Sequence, residues 1–216
     1  MPIELYVFPP SPRAFKVMSV ANHLGIDFTL RFLNILAGEH RQPDYAALNP
    51  NMRMPTMIDG DFTLWESNAM SQYLASKRPE GGLFPADPRG AADVARWQFW
   101  ESQHWDPACV TYLFQNVVKP LAGLGEPDAA ALAAAEAPFH RAAKVLDDHL
   151  KDKSYVAGGK LSLADFTLGA PLIHAAGAKY PLDGYGEIKR WYEGLAALPA
   201  WQKTLQQQQS AMAKVA

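Results

Sequence analysis

Glu66 and Ser67 follow a short apolar segment, Phe62-Thr63-Leu64-Trp65, and precede the apolar series Ala69, Met70, Tyr73 and Leu74, which puts the pair at a helix N-terminus. Free main-chain N–H groups collect at such a point and attract anions. With Glu66 facing an ammonium, and Ser67 and the helix end facing a carboxylate, the two residues could hold a small zwitterion of the α-amino acid type. The same pair also reads as an ordinary helix cap. Pro55 stands just before a strand, where it cannot donate to a sheet ladder. A cis bond there would turn the main chain of Met54 outward, toward the amide groups of a ligand. A trans proline would have only a local role.

The elements that must position these groups can be read from the same pattern. Asp59-Gly60-Asp61 joins two short apolar-polar segments, Thr56-Met57-Ile58 and Phe62 to Trp65, and glycine tolerates the positive φ that a tight hairpin needs. Upstream, residues 3–8 read as a strand ended by Pro9-Pro10. Ala14, Val17, Met18, Ala21 and Leu24 recur at helical spacing as far as Gly25, and Phe28 to Leu33 is a second strand. Such a β-α-β unit has parallel strands if both lie in one sheet. With the hairpin and a helix over about 67–78 it makes a small α/β domain of residues 1–80. Helix breakers crowd residues 81–90, which read as a linker. The remainder, 91–216, reads as an all-helical domain with helices over 90–118, 128–151, 162–178 and 187–209. Pro138 and Pro171 fall inside these patterns, where kinks or breaks are expected. The run Gln206 to Gln209 reads as a frayed helix end. Ser162 and Asp165 have capping-box spacing, which makes Asp165 a folding residue.

At 216 residues the chain is long enough to bury a sizeable core in one or two domains. A net charge of −2 without a cluster of Lys or Arg argues against nucleic acid and anionic membranes as partners. Cys109 is the only cysteine, so no internal disulfide or Cys-x-x-Cys pair is available, which fits a reducing cytoplasm. The N-terminus lacks the pattern of a signal peptide, and no apolar run is long enough to span a bilayer. No metal site is expected.

Leu5-Tyr6, Ser11-Pro12, Gly38-Glu39-His40, Asn49-Pro50, Pro55, Glu66-Ser67 and Ser162 to Asp165 occur in an order that resembles the cytosolic glutathione transferases over essentially the whole chain. The N-terminal loop is most similar to the serine-using theta, phi and related bacterial classes. The resemblance implies an α/β thioredoxin-like N-terminal domain that binds glutathione, the co-substrate, and an all-α C-terminal helical bundle that supplies most of the pocket for a hydrophobic electrophile. It further implies that Ser11 donates to the glutathione sulfur, and that His40 and Arg41 lie near the glycyl carboxylate. Met54 would pair with the cysteinyl part, and Glu66 and Ser67 would bind the γ-glutamyl end. Arg53 stands where glutamine is common, which points to an altered contact, and Phe15 stands where a basic residue is common.

For the second substrate the candidates are Phe8, Pro10, His104, Trp105 and Tyr112. Trp97, Trp100, Glu101 and His104 also have the spacing of a packed helix face. Cys109 reads as a small buried side chain. Conjugation of glutathione to hydrophobic electrophiles is the leading activity. Peroxide or disulfide reduction, dehalogenation, isomerisation and a non-catalytic binding module are the alternatives on the same fold. The resemblance also implies a homodimer, the first domain of one protomer meeting the helical domain of the other.

Overall fold

The computed structural model describes residues 2–212. Its described residues form two compact units, one of residues 2–84 together with 197–212, the other Pro85–Ala196.

The first unit is built on four strands, β1 (Ile3–Val7), β2 (Phe28–Phe32), β3 (Thr56–Asp59) and β4 (Phe62–Trp65), in the order β2-β1-β3-β4. β1 and β2 are parallel with Leu5 opposite Leu30. β3 runs antiparallel to β1, pairing Met57 with Leu5, and β4 returns antiparallel with Leu64 opposite Met57. Gly60 takes φ 65° at the hairpin, a conformation that costs glycine nothing. Alternation buries Ile3, Leu5 and Val7 on one side of β1. This is the expected mixed, thioredoxin-like sheet.

Three helices of this unit are α1 (Pro12–His23), the short α2 (Pro43–Leu48) and α3 (Ser67–Lys77). α1 starts with Ser11 as cap and Pro12 in the first turn, where the missing N–H costs nothing. Every residue from Ala14 to Ala21 on it is buried, because α3 flanks it on one side and the last helix of the chain on another.

The second unit is all helical. α4 (Pro88–Trp100), α5 (Asp106–Leu113) and α6 (Lys119–Leu121) follow one another through two π-helical turns, Glu101–Trp105 and Phe114–Val118. Each wide turn ends two residues before a proline, Pro107 or Pro120. A proline ring clashes with the carbonyl four residues back, and widening the turn moves that carbonyl away. α7 (Ala129–Leu150) runs unbroken through Pro138, contrary to the expected interruption there, because Phe139, Ala142, Ala143, Leu146 and Leu150 bury the helix beyond it. Pro171 does mark a change. α8 (Leu163–Gly169) gives way there to a 3-10 turn, followed by α9 (Ala175–Ala178). The Ser162–Asp165 capping box is present, and the Asp165 carboxylate also accepts from Val156 N at 2.8 Å and Trp191 Nε1 at 3.0 Å. Burial pushes Asp165 upward from the usual carboxylate range, and these donors pull against it.

The single helix expected over 187–209 is two, α10 (Gly186–Ala196) and α11 (Pro199–Met212). Pro199 cannot continue the ladder of α10 and instead opens α11 at its first turn. Beyond this break, α11 belongs by its contacts to the first unit, whereas the sequence places it with residues 91–216. α11 packs on α1, with Phe15 edge-on to Trp201 at 4.7 Å and Asn22 Nδ2 donating at 2.8 Å to both Thr204 Oγ1 and Gln207 Oε1. The glutamine run is thus an ordered, bonded part of a helix. Among the described residues no helix is long and apolar enough to cross a membrane.

Candidate functional site

Ser11 sits where the chain leaves β1 and enters α1. Its N–H bonds Phe8 O at 2.9 Å, its carbonyl accepts the Phe15 N–H, and its Oγ accepts the Ala14 N–H at 3.3 Å. The hydroxyl is therefore a helix cap, and it still carries a proton to donate. Capping and donation use different sides of the same oxygen. No acidic residue stands in the first turn of α1, so the positive end of the helix dipole acts unopposed on an anion placed there. From α11, the Gln208 side-chain amide donates to Pro9 O and fixes the Phe8–Pro10 segment ahead of Ser11.

His40 and Arg41 lie on a 3-10 turn, Glu39–Arg41, that leads into α2. Arg41 is exposed. His40 is half-buried, its Nδ1 is enclosed and has no hydrogen-bond partner, and burial together with Arg41 holds the imidazole below the usual histidine range. Just after α2, the segment Arg53-Met54-Pro55 is held by its Arg53 carbonyl. That oxygen accepts from Tyr45 Oη at 2.7 Å and Asn49 Nδ2 at 2.7 Å, and both side chains also bond Thr56 Oγ1 at the start of β3. The Met54–Pro55 peptide is cis. Asn49 was legible as part of an Asn-Pro turn. Tyr45 gave no sequence signal, yet it is buried beside Asn49 as the second anchor of this loop.

Glu66 caps α3 with φ 71° and ψ 108°, a backbone conformation that L-residues other than glycine adopt at a cost of about 1–3 kcal/mol. The kink leaves its carboxylate exposed while Ser67, the next residue, is buried. Lys16 of α1 was not singled out by the sequence, and it meets this point from below: its Nζ lies 3.3 Å from Ser67 Oγ and 2.7 Å from Asn68 Oδ1. Ser67 is thereby tied to the helix that Ser11 caps. His40 and Arg41 connect to the Met54 loop through α2.

The five candidates for a second substrate separate. Pro10 is half-buried, and His104 is exposed with its ring 6.0 Å from Trp100. Phe8 is buried. Trp105 is fully enclosed, donates its indole N–H to Leu168 O at 2.9 Å and stacks on Phe139, so it belongs to the core of the helical unit. Tyr112 is likewise buried there against Phe139 and Tyr180. The spacing that suggested a pocket wall is that of a packed face. Cys109 is buried beside them, and desolvation pushes its thiol well above the usual range.

The glutathione S-transferase N-terminal domain matches residues 1–76, and the glutathione S-transferase C-terminal domain matches residues 129–194. Glutathione S-transferase 3 of Zea mays is 39% identical over 213 residues, covering 94% of this chain and 93% of that protein. The chain belongs to the glutathione S-transferase family. Among solved structures, glutathione S-transferase III in apo form superposes with a TM-score of 0.84 at 36% identity, covering 95% of this chain and 96% of that one. Glutathione S-transferase-I, bound with lactoylglutathione, superposes with a TM-score of 0.85 at 28% identity, covering 95% and 99%. For a glutathione S-transferase the co-substrate is glutathione. The N-terminal ends of α1 and α3 and the Met54 loop all lie within the residues that the N-terminal domain matches.

Proposed function

We propose that this glutathione S-transferase is of the serine type, similar to the phi and theta classes, and that Ser11 ionises the glutathione thiol for attack on hydrophobic electrophiles. The observation that carries the reading is the Ser11 hydroxyl at the positive end of α1, accepting from Ala14 and retaining its proton.

A thiol of the cysteine type has a pKa of about 8.5, so only a few per cent is thiolate near neutral pH. A hydroxyl donor and a helix N-terminus both favour the anion. Lowering the pKa by about two units takes about 2.7 kcal/mol of differential stabilisation. The thiol proton leaves to solvent, the sulfur lone pair forms the new C–S bond, and the leaving group departs with its bonding pair. Ser11 keeps its own proton throughout and only stabilises charge. Glu66 faces the γ-glutamyl ammonium, Ser67 its carboxylate, Met54 pairs with the cysteinyl amides, and His40, Arg41 and Arg53 gather near the glycyl end. The enclosed, unpartnered Nδ1 of His40 supports a ligand there. Of the candidates for the electrophile, exposed His104 and half-buried Pro10 remain available.

The chain acts as a cytoplasmic homodimer in this reading. Phe62 and Trp65 on β4 and Phe99 on α4 are exposed apolar side chains that such a dimer would cover. A sedimentation measurement giving a stable species of 23.8 kDa would reject it. The central test is the thiolate absorbance of bound glutathione against pH. Ser11→Ala is expected to move its midpoint upward by about two units, toward the ordinary thiol value. An unmoved midpoint, with turnover of a nitro-substituted aryl chloride intact, would remove Ser11 from the mechanism.

A further inference from the structure

Lys16 is 1% exposed on a helix whose other residues from Ala14 to Ala21 are apolar or small. An ammonium is taken out of water only at a large cost, so a chain that keeps one inside must hold it with good acceptors. Two such acceptors belong to the first two residues of α3. Nζ donates to Ser67 Oγ at 3.3 Å and to Asn68 Oδ1 at 2.7 Å.

This contact has a direction. An ammonium has donors only, so the Ser67 hydroxyl can meet it only as an acceptor, and its single proton must point elsewhere. The Ser67 carbonyl is occupied by the Ser71 hydroxyl at 2.8 Å, which continues the helix behind it. A positive charge also lies just inside the end of α3, where the free N–H groups already favour an anion. The bond to Asn68 Oδ1 fixes which way that amide faces.

We propose that Lys16 is a positioning residue for the α-carboxylate at the γ-glutamyl end of glutathione: it turns the Ser67 proton toward that carboxylate and adds a buried positive charge behind it. This rests on the glutathione reading above. It also gives α1 two tasks five residues apart, a hydroxyl at its start for the sulfur and an ammonium one turn further on for the other end of the tripeptide.

The test compares two ligands by equilibrium titration of the full-length protein: glutathione, and 4-aminobutanoyl-cysteinyl-glycine, which is glutathione without that carboxylate. Lys16→Met, similar in volume and uncharged, is expected to weaken glutathione about tenfold while leaving the analogue within about twofold. Lys16→Arg, which keeps the charge, is expected to retain preference for glutathione over the analogue. Should Lys16→Met fail to fold, Lys16→Gln against Lys16→Arg makes the same comparison. Equal losses for both ligands would mean a merely structural lysine and overturn the proposal, as would no loss for either. A wild-type protein that binds both ligands equally well would overturn it too, while leaving the role of Ser11 standing. A wild-type protein that binds neither would overturn the glutathione reading itself.

Discussion

The side-chain amide of Gln208 donates to the main-chain oxygen of Pro9, two positions before Ser11 and 199 positions away along the chain. The contact holds the segment that leads into Ser11. Gln208→Ala leaves Pro9 O without this donor and is expected to cost about 1 kcal/mol in urea unfolding. Because the loop gains freedom, kcat/KM with an aryl chloride should fall severalfold with little change in glutathione affinity. An unchanged rate would show that the loop holds its geometry without α11.

At Ser11 the observed capping and the proposed thiol activation can be separated by substitution. Ser11→Ala removes both, at about 1 kcal/mol of stability and with loss of most activity. Ser11→Asp restores an acceptor for the Ala14 N–H but has no proton to give at neutral pH. It should match wild type in thermal melting and remain as inactive as Ser11→Ala.

Glu66 holds a positive φ at the start of α3. Glu66→Gly relieves the backbone and is expected to raise stability by about 1 kcal/mol while weakening glutathione binding. Unfolding curves and glutathione titration on the same preparation would check that the two effects have opposite signs.

Below its ordinary value of 6.5, folded His40 takes up a proton later than the unfolded chain as pH falls. Its contribution to stability is therefore present above about pH 6.5 and is lost as pH drops through the lower folded value. His40→Gln should flatten this acid limb in unfolding measurements made across the range. If a glutathione carboxylate lies near the ring it favours imidazolium, so saturating glutathione should flatten the limb in wild type as well.

Cys109, buried and with its thiol pushed well above the usual range, has almost no thiolate at neutral pH. Ellman titration should find no rapidly reacting thiol in the native protein and one per chain in denaturant. A fast native reaction would contradict the packing around Phe139 and Tyr180.

Local chemistry was readable from sequence where the pattern and its cause lie within a few residues. The Asp59-Gly60-Asp61 hairpin, the cap before α3 and the box from Ser162 to Asp165 are of this kind. The partners that complete them are not, because Lys16 reaches Ser67 across 51 positions and Trp191 reaches Asp165 across 26. Lys16 did leave a trace, as a lone cation inside the run Ala14 to Ala21, but spacing alone cannot tell a buried lysine from one lying along the surface. Helical spacing also cannot distinguish a pocket wall from a packed face, and Trp105 and Tyr112, both buried against Phe139, have a spacing that fits either. Pro199 is a legible breaker, and it separates α10 from α11 within the span where the spacing predicts one helix.

Trp201 and Gln208 fill the side of a unit whose sheet is encoded within the first 65 residues. During synthesis, the helical segment Pro85–Ala196 emerges as one uninterrupted stretch and can consolidate while the ribosome is still working. The half that carries the sheet, though translated first, gains its contact with α11 last, so a nascent chain stalled before Pro199 would leave uncovered the face of α1 on which Trp201 packs.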